Sequence, residues 1–375
     1  MQPVQSPYWT ERLKILAMHN DLDLTLLLER DSFAHRPGWR PEPVDGVYVQ
    51  VLGSMLSKSI RESDDLGFRI DGVRSIPWRL MAELFRMRPD IAVVCNATQL
   101  IFTLPAKWLL GIRIALIVED TPHATRDLGF LARIVKRLLY RRADCWFAFS
   151  DDARLFLEQM GIAKNVMQSS WSVDMKRFER LQSDDRLMME ASDANIKTVI
   201  FVGAFIPGKG ITQLLAAWKT LSAKVRHSAQ LLLVGSGPLQ HDLQQTIENN
   251  ALTEVKLLGQ KSYPEVIELL KKSDLFVLPT LQDLFSLTVL EAMASGCPVI
   301  TTPYNGAREL IETNHTGWLV DPLQTEAFKN ILENALSPET DLEAMGQAAR
   351  RRVEGMDNVL VMNEFAQSLR NLVVK

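Results

Sequence analysis

The stretch "LQDLFSLTVLEAMASGCPVITT", residues 281–302, holds two acids, Asp283 and Glu291, with seven residues between them. Carboxylates suit diols, because each oxygen accepts a hydrogen bond from a neighbouring hydroxyl. If a helix begins at Val289 to Ala294, residues 284–287 supply its free N-terminal amides, which attract a phosphate. Asp283 then lies in the loop before the helix and Glu291 one turn inside it. One acid can meet sugar hydroxyls and the other a ribose. Upstream, in "AFIPGKGITQLLAAW", Pro207, Gly208 and Gly210 predict a tight turn into a helix, with Lys209 at its mouth as a full positive charge for the same anion. The strand before it ends at Gly203, and the next, "QLLLVG", runs into "SGPL", where Gly235 and Gly237 let backbone come close to a ligand. The plainer alternative makes Asp283 a capping acid, Glu291 a solvated helix residue and each glycine an ordinary turn.

These groups need elements to hold them. Short aliphatic runs alternate with longer helical patterns: "DLTLLL", "IAVVCN", "IALIVE" and "CWFAFS", then "TVIFVG", "QLLLVG", "VKLLG", "DLFVLP" and "PVITT". Such runs read as buried parallel strands between helices, an α/β architecture wound twice over. A chain of 375 residues is long enough for two domains. They are placed at residues 1–182 and 195–355, with "ERLQSDDRLMMEASDANIK" between them as a polar linker. Open parallel sheets bind ligands at their strands' carboxyl ends, so two Rossmann-like sheets are expected to face each other across a cleft.

Composition narrows the function. With 47% hydrophobic and 23% charged residues, the chain reads as an ordinary globular enzyme. A net charge of −3 gives no general affinity for nucleic acid. Cys95, Cys145 and Cys297 are few and scattered, which suggests neither disulfides nor zinc and fits a reducing cytoplasm. The start "MQPVQSPYWTER" lacks a signal-peptide pattern. "LIFTLPAKWLLGIRIALIV" is interrupted by Pro105, Lys107 and Arg113, so it reads as helix, turn and strand and not as a membrane span. "DLD" at Asp21 to Asp23 reads as a turn, and the histidines at 19, 35, 227, 241 and 315 have no metal-ligand spacing. No metal is expected. From Phe130 to Arg142 a helix is predicted with Arg133, Lys136, Arg137 and Arg141 on one side and Leu131, Ile134, Val135, Leu138 and Leu139 opposite. Two readings stay open: core packing with a solvated basic face, or a basic face resting on anionic lipid.

From "FVGAFIPGKGI" through "LLLVGSGPL", "VKLLGQKSYPEVIELLKKSDLFVLPT", "DLFSLTVLEAMASGCPVITT" and "NGARELIETNHTGWLVDP", the second half resembles the donor-binding domain of glycosyltransferase family 4, retaining enzymes of the GT-B fold. The family's E-x7-E signature stands here as Asp283 to Glu291. The first half is similar more loosely, in "SPYWTERLKILA", "RADCWFAFSDDARLFLEQMG" and "WSVDMKRF". The resemblance implies that Glu291 holds a ribose, Asp283 the transferred sugar and Lys209 the diphosphate. The amides of Phe285, Ser286 and Leu287 complete the phosphate cradle, Gly203 and Gly235 border it, and Gly259 to Lys261 pass the base. It also implies that residues 356–375 form a helix crossing back to the first domain. Charge building on the leaving diphosphate is met by cations and dipoles, and the departing phosphate takes the acceptor's proton. No cofactor beyond the donor is needed.

This sequence departs from the pattern at four points. Ala204 stands where the family has an arginine, Asp283 replaces a glutamate, Ser286 replaces a glycine, and Glu119 falls where a catalytic-side histidine is usual. His123, four residues on, can reach the same space. The family's first strand and the glycine-rich turn after it are reduced to "MQPVQSPYW". The expected activity is sugar transfer from a UDP- or GDP-sugar to a saccharide or lipid-linked glycan of the cell envelope, on the inner membrane face. The alternatives are nucleotide-sugar hydrolysis or epimerisation, and a non-catalytic partner subunit.

Overall fold

The computed structural model describes residues 5–31, 41–53, 55–63, 68–123, 125, 129–179 and 196–373. The sequence-predicted linker falls almost wholly outside these. The chain divides into two compact units, residues 1–172 with 358–375, and residues 173–357. The division falls earlier than 182 because the Val173 backbone pairs with Asp357 and the Met175 amide donates to Asp357 Oδ2 at 3.2 Å, which ties this stretch into the second unit.

The first unit begins with a helix, α1 (Pro7–Ala17), capped by the Ser6 hydroxyl, where a shortened strand was expected. Strands β1 (Leu24–Leu28) and β2 (Val47–Val51) pair in parallel. Then β3 (Met55–Ser63) and β4 (Phe68–Ile76) form an antiparallel hairpin. Helix α2 (Leu80–Met87) leads to a four-stranded parallel sheet of β5 (Ile91–Val94), β6 (Arg113–Val118), β7 (Cys145–Ala148) and β8 (Val166–Gln168). Its crossover helices are α3 (Ala97–Leu110), α4 (Phe130–Tyr140) and α5 (Asp151–Gln159). Period-two alternation buries both faces. Ile114, Leu116 and Val118 pack with Leu100, Leu104 and Phe156, while Ala115, Ile117 and Phe147 pack with Phe365, Ala366 and Leu369 of the C-terminal helix.

The second unit is built on a six-stranded parallel sheet. In chain order its elements are β9 (Lys197–Val202), α6 (Ile211–Thr220), α7 (Ala223–His227), β10 (Ala229–Val234), α8 (Gln240–Asn249) and β11 (Val255–Gly259). There follow α9 (Tyr263–Lys272), β12 (Leu275–Val277), α10 (Leu287–Ala294), β13 (Val299–Thr301), β14 (Gly317–Leu319), α11 (Thr325–Leu336) and α12 (Leu342–Val353). The last helix, α13 (Asn358–Val373), belongs to the first unit. The strand order β11-β10-β9-β12-β13-β14 reverses direction between β9 and β12. Ligands of doubly wound sheets bind outside the carboxyl ends at such a reversal.

One expectation holds only in part. Core packing of α4 is narrower than the pattern suggests: Tyr140 is buried and Leu139 packs against the first-sheet core, whereas Phe130, Leu131, Val135 and Leu138 are exposed. Polar groups add to this hold, with Lys136 Nζ and the Tyr140 hydroxyl each donating to the Asp120 carboxylate at 2.6 Å.

Candidate functional site

The loops after β9 and β12 meet at the strand-order reversal of the second unit. After β9 the chain passes Gly203 and Ala204 into a short 3-10 turn, Pro207–Lys209, and then Gly210. Gly210 has φ +68°, and a Cβ there would stand 1.8 Å from the Pro279 carbonyl oxygen, so this position excludes side chains twice over. The Gly208 carbonyl accepts from the Leu281 amide and the Thr280 hydroxyl, both at 2.9 Å, which stitches the β12 loop to the β9 loop. The consequence is chemical: Lys209 Nζ forms an ion pair with Asp283 Oδ2, and the Ser286 hydroxyl donates to the same oxygen at 2.5 Å. Two residues separated by 74 positions, assigned by sequence to diphosphate and to sugar, thus occupy one spot.

Helix α10 starts at Leu287, and its free amides are fewer than expected. The Ser286 amide, assigned by sequence to the phosphate cradle, donates to Asn305 Oδ1 at 3.2 Å. Asn305 also accepts from the Ala307 amide at 3.1 Å and donates to Thr301 Oγ1 at 3.0 Å. The Val289 amide turns back to the Ser286 carbonyl. Among the described hydrogen bonds none uses the amides of Leu287 and Thr288, so these two remain to receive an anion. Phe285 is buried beneath the loop. Glu291, one turn along, is 1% exposed, which excludes the solvated-residue reading. A carboxylate taken out of water to this degree needs donors around it.

Gly235 proves to serve packing, since a Cβ there would lie 1.9 Å from the Gly203 carbonyl oxygen. Gly237 likewise accommodates the Phe205 backbone. These glycines bring the β9 and β10 tails together, whereas Gly259 borders open space.

In the first unit, Glu119 lies at the carboxyl end of β6 and is partly buried. Burial, reinforced by Asp120 and opposed by Arg12, pushes its carboxyl up to about 7. Arg12 was not foreseen. Its guanidinium is fully buried, lies 5.3 Å from the Trp9 ring and 4.9 Å from the Trp171 ring, and donates to the Ser172 hydroxyl at 3.2 Å and carbonyl at 3.0 Å. Burial lowers it to about 10, with Glu119 opposing the fall. His123 sits in the following turn, half-buried. Asp120 is committed to Lys136 and Tyr140, and Asp21 to Arg370 at 2.6 Å, so both have structural work.

Glu119 ties stability to pH. Its folded-state value lies above the ordinary 4.5, so the folded state holds the proton more tightly. The stability this contributes is fully present below about 4.5 and is lost as pH rises through about 7. In urea unfolding at pH 5 and pH 8, Glu119→Gln is expected to remove a pH-dependent difference on the order of 2 kcal/mol. Parallel pH curves for the two proteins would show that the carboxyl is not held neutral.

Residues 189–352 match the family model "Glycosyl transferases group 1". The capsular polysaccharide biosynthesis glycosyltransferase CapM of Staphylococcus aureus is 26% identical over 202 residues, 53% of each chain. The GDP-mannose-dependent monoacylated alpha-(1-6)-phosphatidylinositol monomannoside mannosyltransferase of Corynebacterium glutamicum is 29% identical over 202 residues, 51% of this chain and 52% of that one. The chain thus spans about half the length of these curated relatives. Among solved structures, Anabaena HepE in complex with UDP superposes with a TM-score of 0.76 at 19% identity, covering 99% of this chain and 98% of HepE. With its two Rossmann-like units, the chain has the GT-B fold, and its residues 189–352 are similar to the group 1 glycosyl transferases.

Proposed function

We propose that the protein is a retaining, metal-independent glycosyltransferase of family 4 that moves a sugar from a UDP- or GDP-sugar to a saccharide or lipid-linked acceptor in cell-envelope polysaccharide synthesis. The observation that carries this reading is the convergence of Lys209, Asp283, two open helix amides and buried Glu291 at the strand-order reversal. Glu291 receives the ribose diol and the α10 amides receive the distal phosphate. Lys209 leaves Asp283 for the diphosphate, and Asp283, released, accepts from hydroxyls of the transferred sugar. As the bond from the sugar's anomeric carbon to the diphosphate oxygen breaks, that carbon bonds the acceptor oxygen on the same face. The acceptor's proton passes to the departing phosphate. Lysine and helix amides meet the charge that develops, which is the role a metal plays elsewhere. The names of two similar proteins support the donor class, one in complex with UDP and one dependent on GDP-mannose. Glu119, with His123 beside it, lies on the unit that binds the acceptor.

A thermal-shift screen against UDP, GDP, ADP and their sugar conjugates tests the donor. Ligand at a hundred times its Kd adds about 2.7 kcal/mol, roughly 5–10 °C for a unit of this size. No shift with any nucleotide would favour the non-catalytic alternative, for which Ala204 in place of an arginine is the motivating feature. Lys209→Ala is expected to weaken UDP binding about 10- to 100-fold while leaving uridine within about twofold, because only UDP carries the charge that lysine meets. Equal losses for both ligands would refute the diphosphate role.

A further inference from the structure

Helix α4 is turned inside out. At 100° per residue, Phe130, Leu131, Ile134, Val135 and Leu138 cover roughly 140° of its circumference. All five are exposed, between 39% and 77%. The opposite side carries Lys136 and Tyr140, the groups fastened to Asp120, and Lys136 also lies 5.3 Å from the Phe156 ring centroid. A strongly amphipathic helix that shows water its apolar side is suited to a partner that takes apolar groups. What borders the stripe indicates the partner. Exposed Arg133 and Arg137 line one edge of it, Arg141 follows at the C-cap, and the helix carries no acid. On neighbouring α3, Trp108 and Ile101 are also exposed, one heptad apart. Arginines beside aliphatic and aromatic groups on a helix are the composition of an interfacial membrane helix. No helix among the described residues is long and apolar enough to cross a membrane, so contact through α4 would be at the interface.

We propose that α4 docks this protein onto an anionic lipid bilayer, its apolar stripe entering the acyl boundary and Arg133 and Arg137 meeting lipid phosphates. The crossover gives this a use. Because α4 follows the loop that begins at Glu119, its Phe130 end lies on the same side of the first sheet as the candidate acceptor residues. Docking there brings the acceptor-side unit to lipid-linked acceptors. The purpose rests on the glycosyltransferase reading, but the lipid contact does not.

The test is co-sedimentation of the full chain with vesicles of phosphatidylcholine alone and of an equal mixture with phosphatidylglycerol. The wild type is expected to sediment with the anionic vesicles only, and less as salt rises. Arg133→Glu and Arg137→Glu should each lower partitioning by at least about fivefold. Leu131→Asp with Val135→Asp should abolish it, while the UDP-induced thermal shift stays unchanged and certifies an intact fold. No sedimentation at low salt would overturn the proposal, as would equal sedimentation of wild type and variants. A concentration-dependent dimer that the aspartate variant dissociates would also overturn it, since the stripe would then belong to a second copy. Loss of the UDP shift with vesicle binding retained would refute the donor reading and leave the membrane contact standing.

Discussion

Glu291→Gln is expected to lower affinity for UDP and uridine alike by about 30- to 1000-fold, measured by calorimetry. The side chain is 1% exposed and sits one turn inside α10, beyond the amides proposed to receive phosphate. On the proposed reading, the carboxylate there accepts from both hydroxyls of a ribose. The amide keeps the volume but turns one acceptor into a donor, which leaves a buried ribose hydroxyl facing a group that cannot receive it. The loss of one charge-assisted bond together with one unsatisfied group amounts to about 2–4 kcal/mol. Because the change is nearly isosteric, the unfolding midpoint should move by no more than a few degrees. Lys209→Ala provides the contrast, since it separates UDP from uridine and Glu291→Gln does not. Wild-type affinity in the folded Gln variant would sink the ribose assignment and with it the donor site.

Gly306→Ala is expected to be nearly as damaging, although residue 306 bears no chemistry. A Cβ at that position would stand 1.8 Å from the Leu284 carbonyl oxygen and 2.8 Å from its carbon. Both contacts are backbone, so no rotamer relieves them. The loop of residues 283–286 must move, and that loop carries Asp283 and leads into the open amides of α10. The shift would also strain the Gly306 amide bond to the Asp283 carbonyl, 3.0 Å, and the neighbouring Asn305 bond to the Ser286 amide. A backbone displacement of about 1 Å can cost on the order of a hundredfold in turnover, and overpacking of this kind costs about 1–3 kcal/mol in stability. The expected readout is a fall in kcat/KM of about a hundredfold or more with a lower urea midpoint. Normal turnover would mean that the loop tolerates movement and that its position does not set the donor site.

The sequence by itself determined a good deal. Runs such as "TVIFVG", "QLLLVG" and "DLFVLP" all became parallel strands, because residues buried on both faces leave continuous aliphatic signals. The turn at Lys209 and the Asp283–Glu291 spacing were legible because glycine, proline and charge mark local geometry that the chain fixes within a few residues. The alternation of strand and helix likewise gave the doubly wound class.

What tertiary structure alone decided is long-range. No local signal orders β9 beside β12, yet that order sets Lys209 against Asp283. Asn305 and Gly306 stood in plain view in "NGAREL", but their work concerns a loop some twenty residues away in the chain. Arg12 could not be recognised, since only the fold brings Trp171 and Ser172 around it. Helix α4 gives the clearest case. Its sequence defines two faces but carries no instruction about which one turns inward, and two hydrogen bonds to Asp120, a residue ten positions before the helix starts, settle that question against the hydrophobic pattern.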